Sequence, residues 1–253
     1  MQLSKISMGN FIKWLGAGVG FALGGPIGSI LGFAAGSFIG GFSKEDIEQA
    51  RNYRTSSSNV QSGDFEISLL LLSAVVIKAD GEVDARELSY VRSHFKSMYG
   101  EERANHAFKL FKGFIQNNNI TTREVCVQIR QNLTHASRLQ LIHFLFGIAK
   151  ADGSVLESEI AAIKTIAGYL YISLNDFESI KAMFYENSES AYKILEIEKT
   201  ATNEELKMAY RKMVKKYHPD KLQHLGEEHV KGAEEKFKQV QKAYEQIQKE
   251  RGL

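Results

Sequence analysis

The chain has 253 residues, enough for one large domain or two to three small ones. Hydrophobic residues make up 43% and charged residues 25%, a balance that excludes a mainly disordered chain. The 32 basic and 30 acidic residues nearly cancel, which excludes a strongly basic nucleic-acid binder. The single cysteine, Cys126, excludes an internal disulfide framework and a thiolate zinc cluster, and it fits a reducing compartment.

The N-terminal segment, residues 1–43, contains an uncharged run from Trp14 to Ser43. As a helix this run would be about 45 Å long, which exceeds the roughly 30 Å of a bilayer core. We therefore predict a single membrane-spanning helix. A stripe of glycines at four-residue spacing allows a second helix to approach closely in lipid, and it predicts homodimerisation. The stripe consists of Gly16, Gly20, Gly24, Gly28, Gly32, Gly36 and Gly40.

Two other interpretations of this segment stay open. A cleaved signal peptide would also place Lys5 and Lys13 before an apolar stretch, although this run is much longer than the usual apolar region. A soluble or membrane-surface hairpin could turn at Gly24-Gly25-Pro26, because proline removes a backbone donor. The second alternative corresponds to a cytoplasmic protein that attaches peripherally. Flanking charges do not set the orientation.

Residues 44–63 are polar and are predicted to form a flexible linker. From residue 64 to residue 187 apolar residues recur at three- and four-residue spacing without a proline, which predicts about seven helices with a core of their own. Thr121 and Glu124 form a predicted capping box at the start of one of these helices.

An internal repeat lies within this helical region. The segment Lys78–Glu87 recurs as Lys150–Glu159, and each copy ends one helix and begins the next. Its second half matches an EF-hand loop, but its first half places apolar residues and lysines at ligand positions, so we reject an EF-hand. The main interpretation is a tight helix–turn–helix, with a capping box at Asp84 that Leu156 removes from the second copy. The alternative is a weak metal site formed by Asp80, Glu87, Asp152 and Glu159.

The repeated Lys-x-Asp-Gly-x5-Glu signature resembles that of the TerB-like helical domain. The resemblance implies an all-α fold for residues 64–187. It also implies acidic metal binding in some members of the family, and no established catalytic activity.

The C-terminal region, residues 188–253, combines a basic helix with a short motif. Thr202 and Glu205 form a capping box for a helix that runs to about Tyr217. A polar loop follows from Lys221. A last helix from about Lys231 can pair with the helix that ends near Tyr217, as an antiparallel hairpin. One face of the first helix is positively charged, and the tip of the hairpin carries the tripeptide that follows it. These candidate partner-binding residues are Lys207, Arg211, Lys212, Lys215 and Lys216 on the helix, and His218, Pro219 and Asp220 at the tip.

The sequence Tyr-His-Pro-Asp-Lys after a basic helix, with Tyr-x-x-Leu before it and Phe-x6-Tyr after it, resembles a J domain of the DnaJ family. The resemblance implies a DnaK-type chaperone as partner, whose ATP hydrolysis the J domain accelerates. The five cations would face an acidic groove on that chaperone. His218, Pro219 and Asp220 would act at the junction of its nucleotide and peptide domains.

This resemblance implies an activator rather than an enzyme. The chain has no phosphate-binding glycine loop followed by Gly-Lys-Ser/Thr, and no cofactor is expected. The order of the three regions is similar to that of membrane-anchored bacterial DnaJ-like proteins, which implies the bacterial inner membrane with the bulk of the chain in the cytoplasm. The alternative function is a TerB-like metal- or stress-sensing scaffold that relays its signal to the chaperone through the J domain.

Overall fold

The computed structural model describes residues 60–79, 81, 83–116, 121–153, 155–185, 189–225 and 227–253. The predicted membrane helix with its glycine stripe lies outside the described residues, as do most of the predicted linker and Asp80. In the described ranges every regular element is a helix, which confirms the all-α fold class. None of these helices combines the length and the apolar character that a bilayer crossing requires.

Seven α-helices lie between residues 60 and 182 of the described chain, the number predicted from the apolar spacing. We call them the central bundle. Its first helix begins at Val60, so the last four residues of the predicted linker are helical. The helices are α1 Val60–Ile77, α2 Ala85–Tyr99, α3 Glu101–Gln116, α4 Thr122–Asn132, α5 His135–Ala149, α6 Glu157–Tyr169 and α7 Leu174–Ala182.

In the described residues from 189 onwards, three α-helices and one 3₁₀ helix follow, which we call the C-terminal module. They are α8 Ser190–Ile194, α9 Asn203–Lys216, the 3₁₀ helix Pro219–Leu225 and α10 Glu227–Arg251. Two expectations are corrected here. The predicted loop from Lys221 is instead a 3₁₀ helix, and the last helix begins at Glu227 rather than at Lys231.

The core of the central bundle surrounds α5, which is apolar on nearly all of its sides. A helix of this kind is buried on every face rather than on one stripe. The ring of Phe146, in the last turn of α5, lies 5.5 Å from that of Phe177 and 5.7 Å from that of Phe184, measured between centroids. Buried residues run from Ser137 near the start of α5 to Ala149 at its end, so the whole helix lies inside the bundle.

The two capping boxes predicted outside the repeat have different outcomes. The backbone N–H of Thr202 donates to Glu205 Oε2 at 2.7 Å, and the Glu205 N–H donates to Thr202 Oγ1 at 3.2 Å, which confirms the first box. Thr121 is the N-cap of α4 as predicted, but its side chain makes no capping hydrogen bond, so the box with Glu124 is not formed in full. The start of α9, which carries the basic face, is thus defined locally by its own sequence.

Both copies of the repeat form the predicted helix–turn–helix. Gly81 and Gly153 have φ angles of 88° and 103°, a left-handed conformation that glycine adopts without steric cost. Asp84 caps α2 by accepting the Arg86 N–H at 2.6 Å. The box in the second copy is not entirely lost, because Glu159 Oε2 still accepts the Leu156 N–H at 2.7 Å. Leu156 removes only the half that needs a side-chain acceptor.

The C-terminal module packs directly on the central bundle. Helix α8 packs against α7, where Ser179 Oγ donates to the Ile194 carbonyl at 2.8 Å. The 3₁₀ helix packs against α1 and α5, and its Leu222 and Leu225 are buried. Helix α10 pairs with α9 in the predicted hairpin and also contacts α2. The tip of the hairpin is therefore held close to the bundle.

Candidate functional site

The His218-Pro219-Asp220 tripeptide forms the turn between α9 and the 3₁₀ helix. The side chains of His218 and Asp220 are 46% and 67% exposed. Nδ1 of His218 accepts the Asp220 N–H at 3.3 Å and lies 3.4 Å from Asp220 Oδ2. The His218 ring stands edge-on to the ring of Phe237 on α10, with 6.0 Å between centroids. The tip is therefore exposed. It is also locally ordered, because proline restricts the backbone angle at the first position of the 3₁₀ helix.

A groove of about 540 Å³ lies beside this tip. Half-buried Tyr210 and Val214 supply its apolar lining, and the Tyr210 ring stacks on Tyr244 of α10 with 4.2 Å between centroids. Arg211 and Lys215 are exposed and also line the groove. The remaining lining residues are His218, Asp220 and Lys221. The groove thus combines apolar surface with positive charge immediately next to the tripeptide.

The structure places Arg211 and Lys215 together at the groove, as the sequence predicted for the basic face. Lys207 lies further from the tip, near the start of α9, and its Nζ is 3.2 Å from Oε1 of Glu204. This pair is exposed, so it costs little to separate. Lys207, Arg211 and Lys215 are therefore accessible on the outer surface of α9.

The other two cations contact an acid that the sequence analysis did not single out. Lys212 is exposed, and its Nζ lies 2.8 Å from Oε2 of Glu196. Lys216 is only 18% exposed and forms ion pairs with both Glu196 and Asp176. Asp176 belongs to α7 of the central bundle, so Lys216 faces the bundle rather than the groove. Helix periodicity gave no signal for Glu196, which lies between two helices.

Asp176 is buried at the contact between the central bundle and the C-terminal module. Burial raises the pKa of its carboxyl, but the nearby His135 and Lys216 and the hydrogen bond from the Ser173 hydroxyl outweigh this effect and hold the pKa well below its usual value. The Ser173 hydroxyl donates to Oδ2 at 2.7 Å, and His135 Nε2 lies 3.6 Å from the same oxygen. The carboxylate is thus negatively charged and fixed from several directions.

The acids of the two repeat turns also come together, around a second pocket of about 550 Å³. Glu87 and Glu159 are buried, and Asp84 and Asp152 lie nearer the surface. The guanidinium of Arg86 lies between the turns, with Nη2 2.7 Å from Asp84 Oδ2 and 3.7 Å from Asp152 Oδ2. The hydrogen bond from Arg86 lowers the pKa of Asp84 to about 2. The positive charge of Arg86 therefore lies between Asp84 and Asp152, where it opposes a bound cation.

Across the part of the chain that the structure describes, no three His, Cys, Asp or Glu side chains form a group able to hold a metal ion. Glu87, Asp152 and Glu159 are within that part, and they line the pocket that Arg86 shares. Asp80, the fourth predicted ligand, lies outside the described residues.

Comparison with known proteins agrees with both resemblances. Residues 66–182 match the family described as "Tellurite resistance protein TerB", and residues 190–251 match the "DnaJ domain". The chain is 29% identical to "Co-chaperone protein DjlA" of Coxiella burnetii, over 95% of this chain and 98% of that protein. It is 28% identical to the protein of the same name from Photobacterium profundum, over 95% and 99%. The chain is a DjlA-like co-chaperone of the DnaJ family.

The central bundle is accordingly the TerB domain of this co-chaperone, and the C-terminal module is its J domain. A stretch of 56 residues, 22% of the chain, is 54% identical to "Chaperone protein DnaJ" of Lactiplantibacillus plantarum and covers 13% of that protein. No solved structure matches the chain. The two family resemblances predicted from Tyr-His-Pro-Asp-Lys and from the repeated Lys-x-Asp-Gly signature are confirmed.

Proposed function

We propose that this co-chaperone stimulates ATP hydrolysis by a DnaK-type chaperone through its J domain. The observation that carries the proposal is the exposed His218–Asp220 tip beside a groove lined by Arg211 and Lys215. Two relatives that align over nearly the full length of the chain are named co-chaperones, which supports the same function. The protein itself is then an activator, and the hydrolysis takes place in its partner.

The surface chemistry of the groove suits a transient encounter. Exposed cations steer an acidic partner and give fast, salt-sensitive association of modest affinity. The apolar surface of Tyr210 and Val214 adds contact area once the two proteins meet. Asp220 offers a carboxylate that can pair with an arginine of the partner and favour one state of a two-state switch. Binding through the groove and action at the tip are therefore separable.

The groove cations can be tested in the full-length protein with the double variant Arg211→Ala/Lys215→Ala. We expect the co-chaperone concentration that gives half-maximal ATP turnover of the chaperone to rise roughly tenfold, because two charge pairs at a docking surface are lost. The maximal turnover should change little, since the tip is intact. Steady-state phosphate release at increasing co-chaperone concentration measures both quantities. The difference between wild type and variant should shrink as salt is added.

A matched control removes two lysines from the surface of the TerB domain, in the variant Lys96→Ala/Lys164→Ala. Both residues are exposed, and the change in net charge is the same. This control should keep the wild-type concentration dependence. Equal loss in both variants would show that only net charge matters, and it would contradict a specific docking groove.

We further propose that residues 1–43 anchor the protein in the bacterial inner membrane, with the bulk of the chain in the cytoplasm, where the chaperone and its ATP are found. The uncharged run from Trp14 to Ser43 supports the anchor, and the glycine stripe supports homodimerisation within lipid. Tethering raises the local concentration of the J domain near membrane clients without any new contact.

The variant Gly28→Leu/Gly32→Leu tests the anchor and the dimer together. Both the wild type and the variant should stay in the membrane pellet after an alkaline carbonate wash, because leucine is more apolar than glycine. The yield of crosslinked dimer in membranes should fall severalfold in the variant, since side chains now separate the two backbones. Release of the wild type by the wash would contradict the anchor, and an unchanged yield of dimer would contradict the role of the stripe.

A further inference from the structure

The chain on either side of the tip is attached to the TerB domain. Directly before the tip, Lys216 forms an ion pair with Asp176 of α7. Asp176 is itself fixed by Ser173, whose hydroxyl donates to it at 2.7 Å, and by the nearby His135. The last turn of α9 is therefore fastened to a rigid carboxylate of the other domain.

Tyr217, the residue between Lys216 and the tip, is buried in the same contact. The Nζ atoms of Lys216 and Lys236 each lie 5.8 Å from the centroid of its ring. Burial raises the pKa of the Tyr217 hydroxyl above its usual value, and the proximity of Ser179 of α7 only partly offsets this effect. The residue that precedes His218 is thus held by packing in the contact between the two domains.

Directly after the tip, the 3₁₀ helix is attached to the start of α5. Ser137 is fully buried there, and its Oγ lies within hydrogen-bond distance of His224 Nε2, at 3.3 Å. Leu222 and Leu225 are buried in the same contact. An exposed loop would sample many conformations at this position, and ordering it would cost conformational entropy at every residue. Here the TerB domain has already ordered it.

A third attachment lies behind the hairpin, where Lys236 of α10 donates from Nζ to Oε1 of Gln140 on α5. Lys236 is only 2% exposed. All three attachments lie away from the groove, whose cations Arg211 and Lys215 stay exposed. The TerB domain therefore supports the tip from behind and leaves the docking surface open.

We propose that the TerB domain is a positioning element for the tip of the J domain, with Asp176 and Ser137 as positioning residues. The inference rests on the proposed stimulation of a DnaK-type chaperone and deepens it. Fixing the backbone before and after His218–Asp220 removes an ordering cost that a free tip would meet in the complex. A larger fraction of bound complexes then has the tip in its productive orientation, and each complex hydrolyses ATP faster.

The test uses the full-length variant Ser137→Ala/Asp176→Asn, which changes only the TerB domain and leaves every residue of the J domain as it is. We expect the maximal ATP turnover of the chaperone to fall roughly threefold or more. Without the two side-chain contacts the tip is no longer ordered before the chaperone binds, so fewer complexes have it in the productive orientation. The half-maximal concentration should stay within about twofold, since the groove is intact. Phosphate release across a concentration series gives both values.

This split separates positioning from simple loss of folded protein. A partly unfolded co-chaperone would need a higher concentration but would reach the wild-type maximum, because its folded fraction still acts normally. The conservative variant Ser137→Thr/Asp176→Glu keeps the hydroxyl and the carboxylate, and it should recover most of the lost maximum.

A matched control, Asp84→Asn/Thr165→Ala, makes the same kinds of change away from the J domain. Thr165 bonds only within its own helix, to the Ala161 carbonyl, and Asp84 lies at the repeat turns. These turns meet at the end of α5 opposite Ser137, about 20 Å away for a helix of this length. The control should keep the wild-type maximum.

The outcomes distinguish this inference from the function on which it rests. Wild-type stimulation together with an undiminished maximum in Ser137→Ala/Asp176→Asn overturns the positioning role and leaves the proposed function intact. An equal loss in the control variant also overturns the positioning role. No stimulation by the wild type overturns the proposed function, and the positioning role with it.

Discussion

A His218→Gln variant is expected to leave the ATP turnover of the partner chaperone near its unstimulated rate, a loss of roughly tenfold or more in maximal stimulation. The His218 ring is held by the Asp220 N–H at 3.3 Å and by the edge-on ring of Phe237. Glutamine is polar and of similar reach, but it has no ring to pack on Phe237. The tip loses both its fixed geometry and its imidazole.

Docking should survive this substitution, because Arg211 and Lys215 are unchanged. Excess His218→Gln protein should therefore compete with the wild type for the chaperone and reduce its stimulation. Steady-state phosphate release with and without the competitor measures both effects. Retention of more than half of the wild-type stimulation would contradict the assignment of the tip as the acting group.

A Lys236→Met variant is expected to lose most of the pH dependence of stability that the wild type shows between about pH 7 and pH 10. Burial lowers the pKa of Lys236 from 10.5 to about 7 in the folded protein, and the nearby Glu235 only partly offsets this effect. In that window the unfolded chain binds one more proton than the folded chain, so the free energy of unfolding rises with pH. The contribution of this one group amounts to about 3 kcal/mol.

Methionine fills a similar volume without a titrating group, so its free energy of unfolding should stay flatter across the same window. Denaturant unfolding of the full-length proteins at pH 7, 8 and 9 gives the two slopes, and their difference isolates Lys236. The matched control is Lys242→Met, which changes an exposed lysine of the same helix and should keep the wild-type slope. Equal slopes for the wild type and Lys236→Met would contradict a neutral buried lysine.

Local sequence signals predicted the elements that carry the tip. The pairing of Thr202 with Glu205 defines the start of α9, and both hydrogen bonds of that box are present. The glycines of the repeat predicted the two turns, because only a residue without a side chain adopts their φ angles easily. These signals depend on residues a few positions apart, so a single sequence contains them in full.

Contacts between segments far apart in the sequence could not be predicted in the same way. Lys216 follows Lys212 at four-residue spacing and so belongs to the same predicted face, yet Asp176 and Glu196 draw its side chain towards the bundle. Lys236 is one of many lysines on α10, and nothing in the spacing marks it as buried. Helix periodicity predicts which residues share a face, but not what another domain places against that face.

The burial of Leu222, Leu225 and Lys236 against α1 and α5 limits how far this protein is modular. A J domain excised from it would expose those side chains to water, and a chimera with a foreign J domain would leave Gln140 and Asp176 without their lysines. The two domains share one continuous interior, so they are expected to unfold as a single cooperative unit. In evolutionary terms, substitutions on α10 are then constrained by the neighbouring domain as well as by the chaperone.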